Sequence, residues 1–179
     1  MSDSKSETLQ ESGLVDWPVF SELVAMDEDE EGFSKGLFQT FVDQFKDTFL
    51  EIDENVEAKD LDKLSSLGHY LKGSAAALGL TTIAEQCERI QNYGHKNNFD
   101  NVKLPKKDGE ELDADSDEYW VRLIEDAMEK AQAGFLKSKK ALDEYFEDDL
   151  WVRGMMITTT VYMHGNTLST NAYLSSVDQ

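Results

Sequence analysis

His69 stands in the run Leu64-Ser65-Ser66-Leu67-Gly68-His69-Tyr70-Leu71-Lys72-Gly73-Ser74-Ala75-Ala76-Ala77-Leu78-Gly79, whose residue types suit chemistry on an anion. At 100° per residue, Leu64, Leu67, Gly68, Leu71, Ala75 and Leu78 make one apolar stripe of a helix, while His69, Gly73, Ala76 and Ser66 fall opposite. The expectation is a solvent-facing imidazole among small side chains, open to another protein. Lys72, one turn on, is placed to neutralise an anion held at the ring. No carboxylate occurs between Lys63 and Ala84, although the chain holds 37. Lys72 therefore has no acid three or four positions either side on its own helix and is expected to be an unpaired cation.

Imidazole, with an unperturbed pKa of about 6.5, is nucleophilic at neutral pH and can take a phosphoryl group. Phosphoryl transfer needs positioning and charge stabilisation more than local acid–base machinery. An accessible ring, a cation and clearance suffice, and His69, Lys72 and Gly73 supply them. A hydrolytic role fits poorly, because Ser66 and Ser74 lack the orienting acid and pocket of a nucleophile. Neither the P-loop nor the GxGxxG pattern occurs, so no ATP-binding autokinase is expected.

Metal chemistry of the chain's own has little support. Asp27, Asp29, Glu31 and Gly32 match the early positions of a calcium loop, but Phe38 stands where the bidentate glutamate belongs. Asp113, Asp115 and Asp117 fail the same test. The three histidines, at 69, 95 and 164, have no ligand pair at zinc spacing. Cys87 is the single cysteine, which excludes an intrachain disulfide and suits burial as a small apolar residue.

The formal net charge of −20 argues against nucleic acid and anionic membrane as partners. Residues 1 to 10 lack the cationic start and apolar core of a secretory signal, and no run approaches a membrane span. The expectation is a soluble intracellular monomer.

Helices must position these residues. Residues 1–13 are Ser/Glu-rich and are expected to be a disordered leader. Asp16 as N-cap and Pro18 in the first turn open a short helix carrying Val19, Phe20, Leu23, Val24 and Met26. From about Ser34 a long helix shows Leu37, Phe38, Phe41, Phe45, Phe49, Ile52 and Val56 on one stripe. The His69 helix follows over roughly 61–78 and ends near Gly79. A fourth, from about Thr82, turns Ile83, Cys87, Ile90 and Gly94 inward. After an acidic linker, 99–118, a fifth runs from about Asp117 to Asp148 with Trp120, Leu123, Ile124, Ala127, Ala131, Phe135, Ser138, Leu142 and Tyr145 on its stripe. The expected fold is all-α, an up-and-down four-helix bundle over 14–149 with one short additional N-terminal helix. The tail over 150–179, with strand-like character near Met155–Met163, is expected to be loosely ordered.

These residues match a known family. Gly68-His69-Tyr70-Leu71-Lys72-Gly73-Ser74 is similar to the phosphorylation motif of histidine-containing phosphotransfer (HPt) proteins. The chain most resembles those of fungal osmosensing phosphorelays. Further matches are Met26-Asp27, Phe33-Ser34-Lys35-Gly36-Leu37, Ala77-Leu78-Gly79-Leu80 and Cys87-Glu88-Arg89-Ile90-Gln91-Asn92, so that the likeness spans roughly Leu14 to Phe146.

The resemblance implies a carrier between receiver domains: that of a hybrid sensor histidine kinase gives its aspartyl phosphate to His69, which passes it to a response regulator. Magnesium belongs to the receiver, and the chain needs no cofactor of its own. Lys72 is the implied electrostatic partner, Gly73 the clearance position and Gln91 an orienting residue. Receivers are implied to dock on Val19, Leu23, Met26, Leu37, Tyr70, Gly73, Ser74 and Ala77. His95 departs from the pattern, since a yeast member has arginine there, and implies transfer more sensitive to acid between about pH 6 and 8. The family also implies residence in cytoplasm and nucleus and only indirect membrane contact. Two alternatives stay open: an acidic helical adaptor with His69 idle, and a pseudo-phosphotransfer scaffold.

Overall fold

The computed structural model describes residues 2–103, 113–148 and 150. These form six α-helices: α1 (Ser2–Glu11), α2 (Trp17–Ala25), α3 (Phe33–Ala58), α4 (Leu61–Ala77), α5 (Thr81–Gly94) and α6 (Asp117–Phe146), with a 3-10 turn at Met26–Glu28 after α2. The described residues contain no strand. Helices α3 to α6 make an up-and-down bundle in which each neighbour runs antiparallel. Pairs along the seams show this: Gln44 with Ser74 and Glu51 with Lys63 between α3 and α4, Gly68 with Cys87 and Leu61 with Gly94 between α4 and α5, Arg89 with Asp126 and Thr82 with Gly134 between α5 and α6.

The α3 stripe is buried as its periodicity requires, with Phe38, Phe41, Phe45, Phe49 and Ile52 in the core. Phe45 stacks on Phe49 of its own helix and on Phe135 of α6, the latter with ring centroids 4.1 Å apart and planes 1° from parallel. Burial of each such ring stabilises the fold by about 1.5–3 kcal/mol before entropy is counted.

Helix starts follow local chemistry. Asp16 caps α2 by accepting from the Val19 N–H, Asp60 caps α4 by accepting from the Lys63 N–H, and Ser116 caps α6. At α3 the cap comes from farther away: the Asp27 carboxylate accepts from the Ser34 N–H at 2.7 Å and from Ser34 Oγ at 2.6 Å. One of the acids tested above as a calcium ligand thus holds the turn that presents Met26 to the start of α3.

Two expectations about the N-terminus are corrected. Residues 2–11 are helical rather than a disordered leader, and the bundle carries two additional N-terminal helices rather than one. The cause is tertiary. Helix α1 offers Leu9, 2% exposed, to the core and docks on α6, where Lys5 pairs with Glu147. Composition alone does not show such a contact. At the other end, buried Leu150 donates its N–H to Asp143 at 2.9 Å. The expected tail from 151 on, and residues 104–112 of the acidic linker, lie outside the described residues.

Candidate phosphotransfer site

The buried face of α4 is as expected: Leu64, Leu67, Gly68, Leu71, Ala75 and Leu78 are all enclosed. Gly68 sets the distance to α5. A Cβ there would stand 2.7 Å from the Gln91 nitrogen and 2.9 Å from the Cys87 carbonyl oxygen. Gly94 does the same from the α5 side, where a Cβ would meet the Leu61 carbonyl oxygen at 2.6 Å and Ser65 at 2.7 Å. Backbone therefore lies on backbone along this seam, and Ser65 Oγ closes it by donating to the Gln91 carbonyl at 2.9 Å.

On the opposite face His69 is exposed, together with Ser66, Gly73, Ala76 and Ala77. A Cβ added at Gly73 would meet nothing within 4 Å, so the space beside the ring is open. Lys72 is three residues from His69, but it is not unpaired: its Nζ lies 3.4 Å from Glu88 Oε1 on α5. The expectation of a free cation is corrected. It considered acids on one helix, and the tight seam supplies one from the next.

Gln91 lies against Gly68, the residue before His69, and its side-chain Oε1 is buried with no hydrogen-bond partner among the described residues. A buried acceptor left unpaired is costly, so it is a ready site for an N–H donor. His95 is exposed and caps the end of α5. It shares a shallow groove with Asp60, Leu61, Asp62, Lys96 and Asp117, at the N-terminal end of α4. That end is two turns of helix from His69, so His95 and the acceptor ring are separated by about 12 Å along the axis.

The proposed docking positions gather where α2, the beginning of α3 and the second half of α4 meet. Met26 and Tyr70 are large apolar side chains left 51% and 55% exposed, Ala77 is exposed, and Val19, Leu23 and Leu37 are half-buried. Phe20, fully buried, is the true core residue of α2. The Asp16 N–H donates to the Gly79 carbonyl at 2.7 Å, which ties α2 to the end of the His69 helix. Ser74 is held from α3 by Gln44, whose Nε2 donates to Ser74 Oγ at 2.7 Å.

Behind the site, Arg89 staples α5 to its surroundings. Its guanidinium donates to Tyr93 Oη, Gln86 and the carboxylates of Asp100 and Asp126. Burial disfavours its charge, but these bonds more than offset it and hold its pKa above the ordinary value. Burial and the Asp100 hydrogen bond push Tyr93 up to about 12. Cys87 is buried in the same helix with its thiol pushed up to about 12 by desolvation, as befits a packing residue. Gln44 was not singled out from sequence, and Asp27, Glu88 and Arg89 were not given these roles there. Their partners are on other helices or across a loop, where one helix's periodicity carries no signal. Among the described residues no group of three or more His, Cys, Asp or Glu is arranged to hold a metal ion.

An exposed histidine with open space beside it, on a helix locked to its neighbour, agrees with what the chain is similar to. The Hpt domain profile matches residues 36–134. This chain belongs to the Hpt domain family. It is 51% identical over 184 residues to the phosphorelay intermediate protein YPD1 of Candida albicans, covering 82% of this chain and 100% of that one. To YPD1 of Saccharomyces cerevisiae it is 33% identical, covering 78% of this chain and 97% of the relative. The crystal structure of the S. cerevisiae protein with the receiver domain of its downstream response regulator Ssk1 matches with a TM-score of 0.67 at 33% identity, over 76% of this chain and 96% of that one.

Proposed function

We propose that this Hpt protein is a phosphorelay intermediate in osmotic or general stress signalling. It takes a phosphoryl group on His69 from the receiver domain of a hybrid sensor histidine kinase and passes it to the receiver aspartate of a response regulator. The observation that carries the reading is the two-sided α4: His69 faces solvent beside Lys72 and the open space at Gly73, while its opposite face is locked to α5.

The chemistry is a displacement at phosphorus. The lone pair on the outward His69 nitrogen, Nε2, forms the N–P bond as the P–O bond to the aspartyl carboxylate breaks, and the electron pair leaves on that carboxylate. Gln91, whose Oε1 has no partner among the described residues, is the proposed acceptor of the His69 Nδ1–H when the ring turns toward it, which would fix the tautomer with Nε2 free to attack. Lys72 offsets charge on the transferring group. Magnesium, held by the receiver, supplies charge neutralisation on the partner's side. The chain is a carrier with no turnover or ATP chemistry of its own, and exchange rates come chiefly from the receivers. It acts as a monomer that visits both cytoplasm and nucleus.

Receivers dock on Val19, Leu23, Met26, Leu37, Tyr70, Gly73, Ser74 and Ala77, with exposed Met26 and Tyr70 as apolar anchors. The test is binding of a receiver locked with magnesium and beryllofluoride, a mimic of the aspartyl phosphate, at low and high salt. Docking on this face predicts spectral shifts at these residues and an affinity that changes little with ionic strength. Affinity that collapses with salt and leaves these residues unshifted favours an acidic adaptor instead. His95 lies two helical turns from the ring, so the expected acid sensitivity through it loses its geometric basis, and superimposable pH profiles of transfer are predicted for the native protein and His95→Arg.

A further inference from the structure

We propose that Glu88 is a positioning residue for phosphoryl transfer. It is a resident counter-ion from which Lys72 must be released to serve the phosphoryl group, and it thereby holds down the stability of phosphorylated His69. The inference rests on the phosphorelay reading.

Three observations carry it. Lys72 Nζ lies 3.4 Å from Glu88 Oε1 of α5, and α4 offers Lys72 no acid within two turns, since the chain is free of carboxylates from Lys63 to Ala84. The two side chains are 30% and 46% exposed, so the pair is weak enough to open without breaking the core. The backbones of α4 and α5 are fixed by the Gly68 and Gly94 contacts and by the Ser65 bond, so Glu88 cannot withdraw by a shift of its helix.

When the phosphoryl group arrives on Nε2, about two negative charges come with it. Lys72 is then contested by two anions, and the one it abandons remains nearby as a like charge. Before transfer, the Glu88 pair keeps the ammonium on the α5 side of α4, one helical turn from His69. After transfer, Glu88 competes for it and favours departure of the phosphoryl group to the next receiver. A carrier benefits from this balance, because a phosphohistidine held too well would not be passed on.

The experiment is the equilibrium of transfer between a phosphorylated, magnesium-bound receiver and the full chain, with the half-life of the resulting phosphohistidine. Native protein, Glu88→Gln, Lys72→Ala and the double variant are compared, with circular dichroism as the check on folding. Glu88→Gln is expected to shift the equilibrium toward phosphorylated His69 by about threefold and to lengthen its half-life, the scale of one half-exposed ion pair. The gain should largely vanish in the Lys72→Ala background and shrink at high salt. An unchanged equilibrium, or a gain that persists in full without Lys72, overturns the proposal. Native protein that accepts no phosphoryl group at all overturns the phosphorelay reading, and this inference with it. Normal labelling with an indifferent Glu88→Gln overturns this inference alone.

Discussion

Two seams of the bundle are built in opposite ways. Between α3 and α6 the space is filled by rings, with Phe45 stacked flat on Phe135 and bracketed by Phe41 and Phe49. Between α4 and α5 two positions lack a side chain, and Gly68 and Gly94 let the backbones approach there. The aromatic seam stores stability in volume, which tolerates small adjustments. The glycine seam stores precision, because backbone atoms cannot rotate out of the way. The histidine is mounted on the second kind, so the face presented to a receiver is held at fixed distance from Gln91 and Glu88.

The comparison can be broken from the aromatic side first. Phe135→Ala should cost about 3–5 kcal/mol of stability, read as a lowered urea midpoint, while the surviving folded protein still exchanges phosphate at a near-native rate. A folded variant that had lost transfer would show that the two seams are not separable. From the other side, Gly68→Ala should cost less, about 1–3 kcal/mol, since the new methyl must push two backbone atoms apart. It should nevertheless slow phosphorylation of His69, because Gln91 and Glu88 move with α5. Comparing stability loss with rate loss in these two variants separates volume from precision.

A smaller effect is expected at the exposed face. Lys72→Ala should leave the urea midpoint within about 0.5 kcal/mol of native yet lower the rate of phosphoryl transfer about tenfold, as loss of one charge-assisted hydrogen bond requires. Rate and stability changing together would contradict a purely electrostatic role.

The smallest effect belongs to acid. Burial alone would raise the Asp100 carboxyl, but hydrogen bonds from Tyr93 and Arg89 outweigh it and hold Asp100 below its ordinary 3.8. The hydrogen bond and charge of Lys59 hold Glu118 below its ordinary 4.5. Groups with a depressed folded pKa stabilise fully above the unfolded value, and that contribution is lost as pH falls through the folded one. Stability should therefore decline from about pH 4 downward, and Asp100→Asn should flatten the decline while lowering stability at pH 7. An Asp100→Asn variant with an unchanged acid slope would remove Asp100 from this account.

How far the sequence could be read depended on how local each cause was. The stripes of α2 to α6 were legible because each helix states its buried face in its own period, and the outward direction of His69 followed from the same rule. Gly94 was legible as inward, though not as the contact that fixes helix spacing. Helix α1 was not legible, since a Ser/Glu-rich segment in which Leu9 is the one buried side chain among the described residues is ordered by docking on α6. The Lys72–Glu88 pair was hidden for a related reason: it depends on the register of α4 against α5, which neither helix specifies alone. Arg89 was hidden too, because a buried cation is explained only once Asp100 and Asp126 arrive from outside its helix.

The most direct measurement is transfer from a radiolabelled, magnesium-bound receiver domain to the native chain and to His69→Gln, followed by treatment of the label with acid and alkali. The account predicts label on the native chain alone, stable to alkali and lost in acid, as a phosphohistidine is. Equal labelling of both proteins, or none on the native chain from several receivers, would contradict it.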